Sequence, residues 1–203
     1  MTQTLEDFGK EISDALPGAV LAQTMPLGQL TLEVASIDIV RTMKFLRDDP
    51  GCAFAVLIDI CGVDWPQRAK RFDVVYHLLS LTKNRRIRLK VQTDEASPVP
   101  SVVGVFAAAN WFEREAFDMY GITFADHPDM RRLLTDYGFS GYPMRKDFPL
   151  SGYVEVHYDE EVKRVVYRPV ELVQEFRDFD FMSPWEGARY VLPGDEKSSK
   201  GRG

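Results

Sequence analysis

The chain has 203 residues, 45% of them hydrophobic, and a formal net charge of −6 at pH 7. It is long enough for one domain with a full core, and its composition excludes a fibrous or disordered protein. The acidic balance gives no electrostatic reason to approach nucleic acid or an anionic membrane surface, and no apolar run reaches the roughly 18 to 20 residues of a membrane-crossing helix.

The start, MTQTLEDFGKEISDALPG, is acidic where secretory signals and organelle presequences are basic, so it reads as untargeted. Leu5 to Leu16 predicts a short amphipathic helix stopped by Pro17-Gly18, and Val20 to Val34 predicts two strands broken at Pro26 and Gly28. Ser36 is the candidate cap of a second helix with Ile37, Val40, Phe45 and Leu46 on its apolar side, ended by Asp48-Asp49-Pro50-Gly51. The two cysteines, Cys52 and Cys61, sit in or beside the apolar run FAVLIDICGVDW. Their odd spacing puts them on opposite faces of a continuous strand, which disfavours a disulfide and suits a reducing compartment.

In that run alternation places Phe54, Val56, Ile58 and Ile60 on one bulky face and turns Asp59 away from the core. RFDVVYHLLSLT and RRIRLKVQT then predict a hairpin, with Ile87, Leu89 and Val91 inward and Arg86, Arg88 and Lys90 outward. That basic row could dock an acidic partner; a solvated strand face is the preferred reading. Ser97 is the candidate cap of a long helix with Pro98 and Pro100 in its first turn, Val105, Ala109, Phe112, Ala116 and Met119 on its core side, and Gly121 as its stop. These elements predict an α+β domain over residues 1–137, a two-layer mixed sheet with helices packed on it.

From Gly138 the pattern changes. One hairpin, YVEVHY against KRVVYR, is expected within an extended, aromatic-rich segment over 138–193 that carries Tyr142, Phe148, Phe176, Phe179, Phe181, Trp185 and Tyr190, followed by a polar end, 194–203. Aromatic side chains without a period of their own pack either on this domain or on another protein, with a partner's surface the preferred reading.

Catalytic readings fare poorly. Glu113 and Glu115 are two apart on a helix and project about 200° apart, so they cannot flank one bond; Arg114 and Asp118, four apart, are expected to pair. Asp126, His127 and Asp129 lack the donor set of a zinc site, and His127 is read as a hydrogen-bonding or capping residue before a helical turn started by Pro128. Two cysteines fall short of the roughly four that hold an iron–sulfur cluster, and no phosphate-cradling glycine loop occurs. Arg131, Arg132, Arg145 and Lys146 could gather on a phosphate or a carboxylate, with a protein interface preferred.

The stretch NWFEREAFDMYGITFADHPDMRRLL, Asn110 to Leu134, resembles the signature of the C subunit family of proton-translocating NADH:quinone oxidoreductase, respiratory complex I. The matching positions are Glu113, Arg114, Glu115, Asp118, Met119, Tyr120, His127, Arg131, Leu133 and Leu134. Asp136 to Val156 and Pro169 to Glu186 resemble the ubiquinone-using bacterial and mitochondrial branch. Tyr142 stands where that family more usually has histidine, and His157 where a related form has arginine. The resemblance implies a peripheral-arm subunit with no catalytic, cofactor or metal site of its own, with FMN and iron–sulfur clusters on partner subunits. It implies a place against the quinone-site D subunit and near the cluster-bearing B and I subunits, on the cytoplasmic face of the bacterial inner membrane. Arg145, Lys146, Asp147, Phe148, Phe179, Phe181 and Trp185 are then the expected partner-binding residues of the tail. An equivalent subunit of a membrane-bound hydrogenase is the alternative within the same architecture. A free-standing hydrolase using Glu115, Asp126 and His127 is the alternative from another class.

Overall fold

A computed structural model of the chain describes residues 4–174, in two compact units that divide between Tyr153 and Val154. The first unit is α+β. Its sheet has five strands in the order β1-β2-β5-β4-β3, formed by β1 (Val20–Thr24), β2 (Thr31–Val34), β3 (Val56–Asp64), β4 (Phe72–Ser80) and β5 (Arg85–Thr93). Neighbours run antiparallel except β2 and β5, which are parallel, so the sheet is mixed as the sequence predicts.

Registry explains the core. Val74, Tyr76 and Leu78 of β4 lie opposite Val91, Leu89 and Ile87 of β5, and all six are fully buried. Two helices, α1 (Leu5–Ala15) and α2 (Ile39–Asp48), add Phe8, Ile12, Ile39, Met43 and Leu46 to the same cluster. The Thr4 hydroxyl caps α1 by accepting from the Asp7 amide. Before α2, however, Ser36–Asp38 forms a separate 3-10 turn, so Ser36 does not cap the helix, and Ile37 is 83% exposed rather than part of its apolar side.

Two further expectations need correction. Alternation along β3 slips between Leu57 and Asp59, so Leu57 and Ile60 are buried while Ile58 is 40% exposed. One extra residue in a strand exchanges its faces, which a period-two reading cannot register. Cys52 lies before β3 rather than on it, and both thiols are free.

The second correction concerns the helix expected from Ser97. Val99–Pro100 instead forms a short strand, β6, parallel to β7 (Phe124–Ala125), and the helix α3 spans only Ala109–Tyr120. Each proline biases the residue before it toward extended backbone. The amides of Val99 and Ser101 find acceptors across the ladder, on Thr123 and Ala125.

The second unit contains one hairpin, β8 (Val154–Asp159) with β9 (Arg164–Pro169). Val156 faces Tyr167 and Tyr158 faces Val165, giving one apolar face whose side chains are each more than half exposed. The other face carries an Arg168–Glu155 ion pair at 2.5 Å, with His157 opposite Val166.

The slip in β3 makes a direct prediction. Ile60→Ala should cost about 2–5 kcal/mol in urea unfolding, and Ile58→Ala less than about 0.5 kcal/mol. Equal losses would contradict the assigned faces.

Candidate interface site: the signature helix and its turn

α3 supplies two carboxylates that are fully buried, Glu113 and Asp118, each answered differently. Glu113 Oε1 accepts from the Val102 amide at 2.7 Å and Oε2 from the Ser101 hydroxyl at 2.7 Å. It thereby fastens the 101–103 turn to the helix. His127 Nε2 lies 3.9 Å from Glu113 Oε2 with its side chain closed to solvent. The imidazole Nδ1 accepts from the Asp129 amide at 3.0 Å, which leaves the proton on Nε2 to be donated to the Asn110 carbonyl at 3.1 Å. Burial pushes Glu113 up to about 7 against the pull of its Ser101 and Val102 bonds.

Asp118 is the opposite case. Its Oδ2 accepts from the amides of Leu133, Leu134 and Thr135 at 2.9, 2.7 and 2.9 Å. Its Oδ1 accepts from the Thr135 hydroxyl at 2.6 Å and from Arg132 Nη1 at 3.0 Å. Burial alone would raise this carboxyl; the Thr135 hydroxyl and the three amides overcome it and hold Asp118 down to about 2. The expected Arg114–Asp118 pair does not form. Arg114 instead donates to the carbonyls of Arg131 and Arg132 at 2.9 and 3.2 Å, clamping the same turn from outside.

A second ionic cluster closes the far end of α3. Gly121 ends the helix at φ +77°, and a Cβ there would fall 2.6 Å from Arg145 and 2.7 Å from Tyr142, so only glycine fits. Arg145 donates to the Tyr120 carbonyl at 2.6 Å and its guanidinium lies over the Tyr142 and Phe72 rings. Asp64 takes a bidentate Arg71 at 2.6 and 2.9 Å and the Lys146 amide at 2.7 Å, and Arg71 lowers its pKa. Asp147 pairs with Arg71 at 3.0 Å.

The signature positions thus separate. Asp118 meets Leu133 and Leu134 through their amides, Arg114 holds the same turn at the Arg131 and Arg132 carbonyls, and His127 sits beside Glu113. Arg131 is exposed and its side chain bonds Asp129. Tyr120 packs on Gly62, where a Cβ would lie 2.6 Å from its ring. Pro128 starts no helical turn. Arg145, Lys146, Asp147 and Phe148, expected in a tail leaving at Gly138, fold with the first unit, the Phe148 ring packing against Phe139 at a tilt and against Tyr153 edge-on. Phe179, Phe181 and Trp185, like Phe176 and Tyr190, lie outside the described residues. Ser101, Thr135, Asp64 and Arg71 belong to the site although no local pattern in the sequence marks them.

Both His127 nitrogens are engaged and its side chain is inaccessible, while Asp126 stands in a turn at φ 60°. Among the described residues no group of three or more His, Cys, Asp or Glu could hold a metal ion.

Fold and site together define a small α+β domain whose buried charges fix its own turns. The family model described as the respiratory-chain NADH dehydrogenase 30-kDa subunit matches residues 32–154. An NADH-quinone oxidoreductase C subunit of Maricaulis maris is 65% identical over 198 residues, 98% of this chain and 99% of that one. Another, of Xanthobacter autotrophicus, is 64% identical over 199 residues, 98% of this chain and 95% of that one. The chain belongs to this family, the C subunits of complex I. A chain of the membrane-bound sulfane sulfur reductase, an archaeal respiratory membrane complex, shares the fold, with a TM-score of 0.60 at 24% identity over 71% of this chain and 85% of that one.

Glu113 gives the site a pH signature. Its folded pKa lies above the ordinary 4.5, so its contribution is fully present below that value and is lost as pH rises through about 7. The loss is on the order of 3 kcal/mol. Glu113→Gln should flatten the fall in stability between pH 5 and 8, measured by urea unfolding; an unchanged profile would contradict the assignment. Asp118 has the reverse sign: its contribution, present above about 4, disappears as pH falls through about 2.

Proposed function

We propose that this chain is a non-catalytic structural and assembly subunit in the peripheral arm of NADH:quinone oxidoreductase. That enzyme passes electrons from NADH through FMN and iron–sulfur clusters to ubiquinone and couples this to proton translocation. In this reading those redox groups are held by partner subunits and none by this chain. The expected neighbours are the quinone-site D subunit and the cluster-bearing B and I subunits. The place is the cytoplasmic face of the bacterial inner membrane, with attachment through the partners; no helix among the described residues is long and apolar enough to cross a membrane.

The observation that carries the assembly role is the hairpin of the second unit. Val154, Val156, Tyr158, Val165 and Tyr167 are each at least 53% exposed, and registry gathers them on one face. An isolated two-stranded hairpin is marginally stable in water, and a contiguous exposed apolar patch marks a contact surface. Glu113, Arg114 and Asp118 support the same reading, because each is engaged in fixing backbone of this chain. The names of the relatives favour this reading over the hydrogenase alternative.

Val156→Asp with Tyr167→Asp, in a chain tagged at its polar end, should reduce recovered complex by roughly tenfold, as expected when charge enters an interface core. NADH:quinone reductase turnover per recovered complex should stay at the wild-type level. Normal recovery with collapsed turnover would instead place chemistry on this chain.

A further inference from the structure

Three signature residues, Glu115, Met119 and Tyr120, have side chains outside the Glu113 clamp and the Asp118 knot. With Asp59 and Cys61 of β3 and with Met144, they line an open groove of about 260 Å³. Its floor is apolar and sulfur-rich, and β3 is the terminal strand of the sheet. Edges of this kind are where neighbouring chains dock.

The two carboxylates set the chemistry. Asp59 on the strand and Glu115 on the helix accept no hydrogen bond and form no ion pair among the described residues. Every other carboxylate on α3 is answered, which makes Glu115 the exception. The Cys61 thiol is pushed up first by burial and then by the charges of Asp59 and Glu115. An opposing charge, Arg88, acts on Cys61 from β5, and His77 is opposite Asp59 on β4. The groove is therefore negative at its rim and apolar beneath.

We propose that this groove receives a segment of a neighbouring subunit bearing an arginine or lysine beside an apolar side chain. The cation sits between Asp59 and Glu115, and the apolar group rests on Met119 and Met144. A long side chain with an apolar stem and a charged head matches both layers. Thioethers adapt to whatever shape the apolar group brings. A hydrated divalent ion fits worse, because two carboxylates above an apolar floor are far from the six or more oxygen ligands it requires. This inference rests on the assembly reading and assigns one surface to it.

The test uses the full tagged chain in cells that make the complex. A photo-crosslinking amino acid in place of Met144, which is 52% exposed, should give an adduct with another subunit at a peptide containing arginine or lysine, mapped by mass spectrometry. Asp59→Lys with Glu115→Lys should lower recovered complex about tenfold, the scale of unpairing an interfacial charge. Asp59→Asn with Glu115→Gln should lower it less. The reversed chain should melt like wild type. If it does not, the crosslink decides. No adduct, an adduct only with a second copy of this chain, a mapped peptide lacking both cations, or wild-type recovery of the reversal would overturn the proposal. If the wild-type chain itself recovers no complex, the assembly reading falls first; if it recovers complex and the groove results fail, only the groove assignment falls.

Discussion

Asp118 is the group on which the signature region depends. One carboxylate, fully buried at the inner side of α3, accepts from three consecutive backbone amides, a hydroxyl and a guanidinium. Buried amides without partners are costly, so a turn that aims three of them inward needs a concentrated acceptor. A carboxylate satisfies that need where a neutral side chain would not, because charge-assisted bonds are shorter and stronger. The path of residues 131–135 follows from this, and Arg132 extends it by donating to the Gly141 carbonyl and lying over Phe139 and Tyr142.

The contrast with Glu113, five residues earlier on the same helix, shows what the number of donors decides. Two donors leave burial dominant and raise the pKa; five donors reverse it. Both arrangements do mechanical work. Glu113 ties the segment before α3 to it, Asp118 ties the segment after it, and the Asp64–Arg71 pair joins β3 to residues 146 and 147. A chain arranged this way suits the positioning role proposed for it, since its buried charges hold backbone in place. Tyr142 fits that pattern: its ring lies beside the guanidinium groups of Arg132 and Arg145 and across from Phe117.

Much of the fold was legible because burial follows simple periods. The alternation of Ile87, Leu89 and Val91, the stop at Gly121 and the YVEVHY hairpin all appear where the sequence places them. The misses are those of local rules meeting distant partners. Pro98 and Pro100 suit a helix's first turn and an extended strand alike, and acceptors on Thr123 and Ala125 settled the choice. Arg114 and Asp118 have ideal spacing for a pair, yet Asp118 is turned inward and finds its donors 14 to 17 residues away. The run Arg145-Lys146-Asp147-Phe148 reads as a charged tail, and distant contacts, such as those 25 and 82 residues back to Tyr120 and Asp64, bind it to the first unit. The family signature was legible as a pattern; that Leu133 and Leu134 serve it through their amides was not.

Asp118→Asn in the full chain within its complex is the most direct test, with complex recovered per cell and turnover per complex read from the same preparation. An amide keeps the shape of the side chain but removes the charge that gathers five donors. A purely positioning role predicts less assembled complex with unchanged turnover in each complex that forms. Full assembly with lost turnover would contradict it, and would place Asp118 in the chemistry rather than in the joint.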